Sequence, residues 1–286
     1  MTAQPSITPL DATLGATVTG VDLAKLDDAT WRVIEDAFHA HAVLIFPGQD
    51  LSAEAQVGFA ARFGAIEHLV AGKDIVSISN QREDGRLMRQ DEHRAQVQRG
   101  NEGWHTDSSY MALAAKASVL QAKVVPSAGG QTAWADMRAA YDALEPAMKD
   151  RIAGLAAYHS LFHSQAKIGH KAVVGASYGF HEEAPPLRPL VKVHPVTGRP
   201  ALYIGRHAYG IPGLPAEESE ALLDELIDFA CQPPRTYQHD WQPGDVIIWD
   251  NRCVLHRACD YDRSEPRLMK HVRVAGDPAS ELALSA

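Results

Sequence analysis

Short strand-like runs recur along the chain and are separated by turns rich in glycine and proline. They read AVLIFPG, DIVSISN, ASVLQAKVV, LVKVHP, ALYIG, DVIIWD and RLMKHVRV, with turn sequences such as PSAGG, HPVTGRP and QPGD between them. Short runs of β-favouring residues bounded by Gly and Pro are typical of antiparallel strands. Because these runs do not alternate regularly with helices, the pattern favours a jelly roll (a double-stranded β-helix) over a doubly wound parallel sheet.

Segments with apolar residues at helical spacing lie between these runs. They cover 27–42, 52–64, 136–155 and 215–230. Ser52 can cap the second segment and Gly64 can end it, while Pro146 predicts a break or a new first turn inside the third. We therefore expect a mostly β protein whose helices pack outside a jelly-roll core. We expect one domain over residues 1–286, because no linker-like stretch divides the chain.

Composition argues against several function classes. The chain has 286 residues and a net charge of −9, from 27 basic and 36 acidic residues. This balance argues against nucleic-acid binding, because phosphate backbones require clustered Lys and Arg. The N-terminal MTAQPSITPL has no secretory signature, no apolar run approaches the roughly 20 residues that span a bilayer, and the 3 cysteines are too widely spaced for a disulfide framework. We expect a cytoplasmic protein without a membrane partner.

The stretch EGWHTDSSY at 102–110 places an imidazole and a carboxylate close together. On a strand, His105 and Asp107 would leave the same face, because side chains alternate. An isolated pair of this kind is more often structural than functional, so a third partner is required. His256 in WDNRCVLHRA, near the end of a strand-like run, can supply it. Two histidines and one carboxylate hold a divalent iron on one face and leave three positions open.

The last strand-like run, RLMKHVRV, adds a positive charge to this arrangement. Its alternation places Arg267, His271 and Arg273 on one face. If this strand pairs with the strand that bears His256, Arg267 enters the same cavity as the metal, where a carboxylate is its best partner. Thr132, after the PSAGG turn, can donate a hydrogen bond to that carboxylate, although threonine is common in strands and signals little by itself.

Two other motifs compete with this interpretation. GASYG at 175–179 matches the nucleophile elbow of serine hydrolases, which requires a strand before Ser177 and a helix after it. The prolines of the following FHEEAPPLRP argue against that helix, so we expect Ser177 in a loop. Cys253 lies three residues before His256. Strand geometry therefore turns it away from the metal and predicts a buried structural thiol.

Taken together, the motifs resemble the taurine and 2,4-dichlorophenoxyacetate dioxygenases, which depend on Fe(II) and 2-oxoglutarate. The resemblance covers nearly the whole chain, since GATVTGVDL, VLIFPGQ, WHTDSSY, PSAGGQTAWADMRAAYDAL, HPVTGR, IGRHA and WDNRCVLHRA occur in this order. Within the family, the chain is most similar to members that degrade aryloxyalkanoate herbicides, particularly those acting on (S)-phenoxypropionates. The resemblance implies a dioxygenase that uses 2-oxoglutarate and O2 and forms a phenol, a 2-oxo acid, succinate and CO2.

The resemblance also implies roles for individual residues. His105, Asp107 and His256 would be the iron ligands and carry the catalysis. Thr132 and Arg267 would bind the far carboxylate of 2-oxoglutarate.

Several residues could bind the substrate anion. Relatives often carry a second arginine four residues after the co-substrate arginine, where this chain has His271. The candidates for substrate binding are therefore Arg206 and His207 in IGRHAYG, together with His271 and Arg273, and a carboxylate favours Arg206 or Arg273 as its partner. The polar stretches 81–103 and 163–188 are long enough to act as lids over the substrate. The resemblance also implies a homo-oligomer.

Three alternatives stay open at this point. The same chemistry could act on taurine or another alkylsulfonate rather than on an aryloxyalkanoate. A zinc-dependent hydrolase could use the same three ligands, but zinc prefers a tetrahedral site and would leave Arg267 and Thr132 without a role. A binding protein without metal could keep the same barrel.

Overall fold

The computed structural model describes residues 5–284, and the strands in this range form one large sheet and three smaller ones. The strands are β1 Ser6–Pro9, β2 Ala16–Thr19, β3 Val43–Phe46, β4 Ile66–Glu67, β5 Val76–Ser79, β6 Ala115–Val124, β7 Thr132–Asp136, β8 Ala156–His159, β9 Leu187–Pro189, β10 Val191–Val193, β11 Pro200–Leu202, β12 Ala208–Tyr209, β13 Thr236–His239, β14 Val246–Asp250, β15 Val254–Ala258 and β16 Leu268–Ala275. The helices are α1 Asp28–His41, α2 Ala53–Ala61, α3 His93–Arg99, α4 Met137–Ala143, α5 Pro146–Ile152, α6 Leu161–Lys167, α7 Ala216–Ala230 and α8 Pro278–Glu281.

The large sheet is buried on both faces. Its strands run in the order β1-β2-β3-β14-β6-β16-β4, with β5 also paired to β16, and every pair except β2–β3 is antiparallel. On β14, Val246 and Ile248 face one apolar cluster, which also holds residues of α1 and α2, whereas Ile247 and Trp249 face a second cluster. This two-sided burial explains why the β14 sequence is a continuous apolar run rather than an alternating one.

A smaller sheet, in the order β13-β7-β15, lies across the second cluster from the large sheet. Trp134 of β7 and Trp249 of β14 meet edge to face, with ring centroids 5.8 Å apart. Large aromatic rings packed in this way join the inner faces of two sheets. The candidate site lies where these two sheets approach each other, between β15 and β16.

The four predicted helical segments are confirmed in the structure, but α2 ends at Ala61 and not at Gly64. The helix α2 begins after Ser52, whose side chain accepts a hydrogen bond from the Ala55 amide. The segment 136–155 divides into α4 and α5, and Pro146 is the first residue of α5. Proline fits there because the first turn of a helix needs no amide donor. No helix within residues 5–284 has the length and the apolar character required to cross a bilayer.

Two expectations about strands are wrong. The stretch 102–110 is not a strand, because His105 makes a single bridge to His256 and Asp107 lies in the turn that follows. The strand β16 does not pair with β15, since it pairs with β6, β5 and β4, while β15 pairs with β7. Val272 and Val274 of β16 belong to the apolar cluster under α1 and α2, which holds β16 in the large sheet.

The two predicted lid stretches contain short helices that the sequence reading did not identify. The helix α3 lies in 81–103, and most of α6 lies in 163–188. Both stretches border the same cavity, through Gln98 of the first and Tyr178 of the second.

Candidate active site

Three side chains of suitable chemistry meet at the junction of the two sheets. The backbones of His105 and His256 exchange hydrogen bonds of 3.0 and 2.7 Å, which sets their rings side by side with centroids 4.1 Å apart. Asp107 follows in the turn, and one ligand atom from each residue lies within 4.8 Å of the others. All three are buried. A bridge and a turn thus produce the convergence that we had predicted from a regular strand.

The Asp107 carboxylate is held at both oxygens. Ser118 donates to Oδ2 at 2.6 Å, and Arg273 donates from Nη2 to Oδ1 at 2.7 Å. Burial alone would raise the pKa of Asp107, but Arg273 and the neighbouring imidazoles outweigh this effect and hold the pKa well below its usual range. The carboxylate is therefore ionised at neutral pH, as a metal ligand must be.

The two histidines are also prepared to bind a metal. The Nδ1 atom of His105 lies 2.8 Å from the Gly103 carbonyl, and this contact leaves Nε2 free of a proton and available as a ligand. Burial lowers the pKa of His256 to about 4 and that of His105 well below its usual value. Both rings are neutral at pH 7. The donor set of two neutral imidazoles and one carboxylate fits a divalent first-row metal.

A cavity of about 1050 Å³ opens beside these three residues. Arg267 lines the cavity and is only 7% exposed. Its Nε and Nη2 atoms donate to the Gly130 carbonyl at 3.2 and 2.9 Å, and no carboxylate of residues 5–284 is among the groups that shift its pKa. Burial lowers this pKa to about 10, so the guanidinium stays charged. A buried cation without an acidic partner is suited to binding an anion from outside the chain.

Thr132 lies beside this arginine, two residues after Gly130, at the start of β7. The indole nitrogen of Trp241 donates to Thr132 Oγ1 at 3.0 Å, which occupies the hydroxyl as an acceptor and leaves its proton free to donate. Thr132 and Arg267 both line the cavity. Both side chains can donate hydrogen bonds into this cavity, as a carboxylate partner must.

The four candidates for the substrate anion are placed differently. His207, His271 and Arg273 line the cavity, whereas Arg206 is not among its lining residues within 5–284 and donates to the Ser164 carbonyl at 2.7 Å. The ring of His207 is fixed by a 2.8 Å contact between its Nδ1 and Ser164 Oγ.

His271 and Arg273 differ in how far their polar atoms are engaged. The Nε2 atom of His271 is buried and has no hydrogen-bond partner within residues 5–284. Both terminal nitrogens of Arg273 already donate, to Asp107 and to Ser108. Arg273 Nε is likewise buried without a hydrogen-bond partner within residues 5–284, so both side chains keep one free polar atom.

The competing motifs do not form sites. Ser177 lies in a turn and no helix follows it, as predicted. Cys253 is buried in the core and is grouped with His194 and Asp250, but both Asp250 oxygens already accept hydrogen bonds from Arg252. His194 donates from Nε2 to the same carboxylate, and its Nδ1 accepts hydrogen bonds from the backbone amides of Val196 and Thr197. This second cluster is a satisfied structural network, and the thiol has the buried role that we predicted.

Several contributors were missed by sequence reasoning. Ser118 lies inside a strand-like run, and Trp241 lies in a turn, where neither residue type signals a role. Glu67 accepts from Ser108 at 2.8 Å and from the hydroxyl of Tyr178. The sequence offered no signal for these contacts, because they join residues that are far apart in the chain.

Comparison with known proteins adds three observations. Residues 6–274 match the family described as "Taurine catabolism dioxygenase TauD, TfdA family". Two proteins named (S)-phenoxypropionate/alpha-ketoglutarate-dioxygenase are similar: one from Sphingobium herbicidovorans at 55% identity, covering 98% of both chains, and one from Delftia acidovorans at 53%, covering 96% of both. The crystal structure of AAD-2 in complex with Mn(II) and N-oxalylglycine superposes with a TM-score of 0.91 at 37% identity, covering 99% of this chain and 100% of that one.

Proposed function

Because the chain belongs to the TauD/TfdA family of taurine catabolism dioxygenases, we propose that it is an Fe(II)- and 2-oxoglutarate-dependent dioxygenase that acts on an aryloxyalkanoate. The observation that carries the proposal is a buried cluster of His105, Asp107 and His256 that shares one cavity with the unpaired cation of Arg267. The names of the relatives from Sphingobium herbicidovorans and Delftia acidovorans support a phenoxypropionate-type substrate.

We infer that the fold is a jelly roll and that residues 1–286 act as a single domain. The large sheet and the sheet β13-β7-β15, packed across one apolar cluster, support the first inference. The family match over residues 6–274 supports the second. A homo-oligomer and a cytoplasmic location stay predictions, which light scattering and cell fractionation would test.

In the proposed mechanism, His105, Asp107 and His256 would hold Fe(II), since a set of two imidazoles and one carboxylate leaves a divalent iron accessible to reactants. Arg267 and Thr132 bind the far carboxylate of 2-oxoglutarate, which orients its 2-oxo acid end toward the metal. When bound, the iron and its co-substrate supply the oxidising chemistry, in which O2 is consumed and 2-oxoglutarate becomes succinate and CO2. The protein itself binds, orients and excludes water.

The cavity gives the substrate an apolar environment next to the triad. Its lining includes Ile78, Leu120, Leu161 and Trp249, which can contact an aromatic ring. Hydroxylation of the carbon beside the ether oxygen gives a hemiacetal-type product, which collapses to a phenol and a 2-oxo acid. Because that carbon also bears the carboxylate and, in a phenoxypropionate, a single hydrogen, the position of the anion determines whether this hydrogen faces the metal site. A misplacement of about 1 Å can cost on the order of 100-fold in rate.

We propose that the substrate carboxylate binds between His207 and His271, with the positive charge of Arg273 behind them. Both imidazoles line the cavity, and His271 Nε2, which is 3.9 Å from Asp107 Oδ2, has no hydrogen-bond partner within residues 5–284. Arg206 contributes its charge from outside the cavity lining. Since neutral imidazoles bind carboxylates more weakly than a free arginine does, the apolar ring of the substrate must supply much of the affinity.

The test is anaerobic loading with Fe(II) and 2-oxoglutarate, followed by O2 and a panel of aryloxy acids and alkylsulfonates. We expect succinate and a phenol in equal amounts from an (S)-phenoxypropionate, and neither product from the Asp107→Ala variant. Zn(II) in place of Fe(II) should inhibit. Succinate release with taurine but not with aryloxy acids would transfer the proposal to alkylsulfonates, and zinc-supported hydrolysis would overturn it.

A further inference from the structure

The segment that resembled a nucleophile elbow has a different position in the structure. GASYG and the following Phe180 form the inner part of the loop between α6 and β9. Phe180 is 2% exposed and packs against Phe162, whereas Val173, further out in the same loop, is 68% exposed. Gly179 has a φ of 84°, and a Cβ there would collide with the ring of Tyr110. The loop is therefore anchored over the site at residues 178–180, while its outer part meets solvent.

Tyr178 places its hydroxyl in a polar network beneath this anchor. The hydroxyl donates to Glu67 on β4 and lies 3.3 Å from Ser108 Oγ. Ser108 in turn donates to Glu67 at 2.8 Å and accepts from Arg273 Nη1 at 3.0 Å. Burial raises the pKa of Tyr178, so its hydroxyl remains a donor at neutral pH. The loop thus has a direct polar contact with groups of the large sheet.

Arg273 connects this network to the carboxylate of Asp107. Arg273 donates to Asp107 Oδ1 at 2.7 Å, and its Nε is 3.9 Å from Glu67 Oε2. Ser108 follows Asp107 directly in the chain and has a φ of 52°, in the left-handed region that serine rarely adopts. A strained residue of this kind persists only where its surroundings hold it. Glu67, Arg273 and Tyr178 provide those surroundings.

We propose that Tyr178 is a positioning residue that couples seating of the loop to the geometry of Asp107. With the loop seated, its hydroxyl fixes Glu67 and Ser108, and these two hold Arg273 against Asp107. With the loop displaced, Ser108 and Arg273 lose one constraint and the Asp107 carboxylate is oriented less precisely. The inference rests on the proposed function, because it takes Asp107 to be a metal ligand. It assigns to the GASYG segment a role in preparing the metal site in addition to covering the substrate.

The experiment measures Mn(II) binding to the full-length protein by calorimetry without 2-oxoglutarate, so that no turnover is involved. Removing an outer partner of a metal ligand typically costs about 10- to 100-fold in affinity, and a more distant partner should cost less. We expect Tyr178→Phe to weaken Mn(II) binding several-fold and Glu67→Gln to weaken it at least as much. The matched control is Tyr158→Phe, the same change at a 37% exposed tyrosine outside the cavity lining, which should bind Mn(II) like the parent.

Thermal melting of each variant without metal separates a local effect from general destabilisation. The inference predicts that Tyr178→Phe melts close to the parent temperature while its Mn(II) affinity falls. If Tyr178→Phe and Glu67→Gln both bind Mn(II) like the parent while Asp107→Ala loses binding, this inference is overturned. The proposed function is then unaffected. Parent-like affinity in Asp107→Ala would overturn the metal site and this inference with it.

Discussion

Two arginines mark the two ends of the cavity, six residues apart near the same strand, and their surroundings are opposite. Arg267 and Arg273 are each 7% exposed. Within residues 5–284 the guanidinium of Arg267 donates only to the Gly130 carbonyl, and burial lowers its pKa to about 10. Burial acts on Arg273 in the same direction, but Asp107 and other acidic groups outweigh it and raise the pKa of Arg273 above its usual value.

This difference separates the role of the fold from the role of the ligand. At the Arg273 end, the chain supplies the counter-charges itself, so that the Asp107 carboxylate is fixed without any ligand. At the Arg267 end, the chain leaves a desolvated cation without an acidic partner, at a cost in folding free energy. An anion from outside must complete that end, and a dicarboxylate that also reaches the metal is the natural candidate.

The largest expected effect is on stability at the Arg273 end. Arg273→Met leaves the buried Asp107 and the partly buried Glu67 without their cation, and breaking a buried pair such as Arg273–Asp107 costs about 3–5 kcal/mol. Chemical denaturation without metal should show this loss in the free energy of unfolding. The matched variant Arg267→Met removes a cation that has no acidic partner, and it should change the free energy by less than half as much. Equal losses in the two variants would contradict the comparison.

The next effect concerns co-substrate binding at the Arg267 end. Arg267→Ala removes the proposed partner of the far carboxylate, which should cost roughly 2–5 kcal/mol of 2-oxoglutarate binding and weaken that binding about 30-fold to several thousand-fold. The apparent affinity for the aryloxy acid should change much less. Steady-state kinetics with each substrate varied in turn gives both Michaelis constants, and an equal rise in the two would show that Arg267 does not select 2-oxoglutarate.

The pH dependence of metal binding should also distinguish the two arginines. Burial and nearby cations that include Arg273 lower the pKa of His256 to about 4. Mn(II) affinity should therefore be flat from pH 8 to pH 6 and fall only as the pH approaches about 4, where the ring gains a proton. Because Arg273 helps to lower the pKa of His256, Arg273→Gln should raise that pKa. The fall in Mn(II) affinity should then begin at a higher pH. Arg267→Gln should not change the pH at which Mn(II) affinity falls. Calorimetry over this pH range measures the affinity of each variant relative to its own value between pH 6 and pH 8.

The smallest expected effect is at Thr132. Thr132→Val removes one neutral hydrogen bond to the proposed carboxylate and should raise the Michaelis constant for the co-substrate about 2- to 10-fold, in line with about 0.5–1.5 kcal/mol for such a bond. The effect should be much smaller than that of Arg267→Ala. A Thr132→Ser variant, which keeps the hydroxyl, should bind 2-oxoglutarate nearly as well as the parent. A loss in Thr132→Ser as large as in Thr132→Val would show that the hydroxyl is not the group that matters.

The sequence predicted those features that depend on local chemistry. Helix starts such as Ser52 and Pro146 were correct, because caps and proline act on adjacent backbone. Alternation in β16 correctly separated His271 and Arg273 from Val272 and Val274, since side-chain period is a property of the strand alone. The meeting of the two histidines and the aspartate was also anticipated.

Features that depend on the arrangement of distant segments were not predictable. The turn at Asp107 is held by Glu67 and Arg273, which lie far away in the chain, so 102–110 looked like a strand. The pairing of β16 was misjudged because several strands have similar apolar patterns. Tyr178 lies 111 residues from Glu67, and only the folded chain brings its hydroxyl there.

A crystal structure of the protein with Mn(II) and 2-oxoglutarate would show directly whether the metal and the co-substrate bind at these two ends of the cavity. The metal can be located by its anomalous scattering. We expect one strong anomalous peak for Mn(II), bounded by His105, Asp107 and His256. The far carboxylate of 2-oxoglutarate should be bound by Arg267 and Thr132. A metal peak elsewhere would contradict the proposed metal site. The proposed role of Arg267 would be contradicted if the co-substrate carboxylate displaced Asp107 from Arg273 and left Arg267 without an anion.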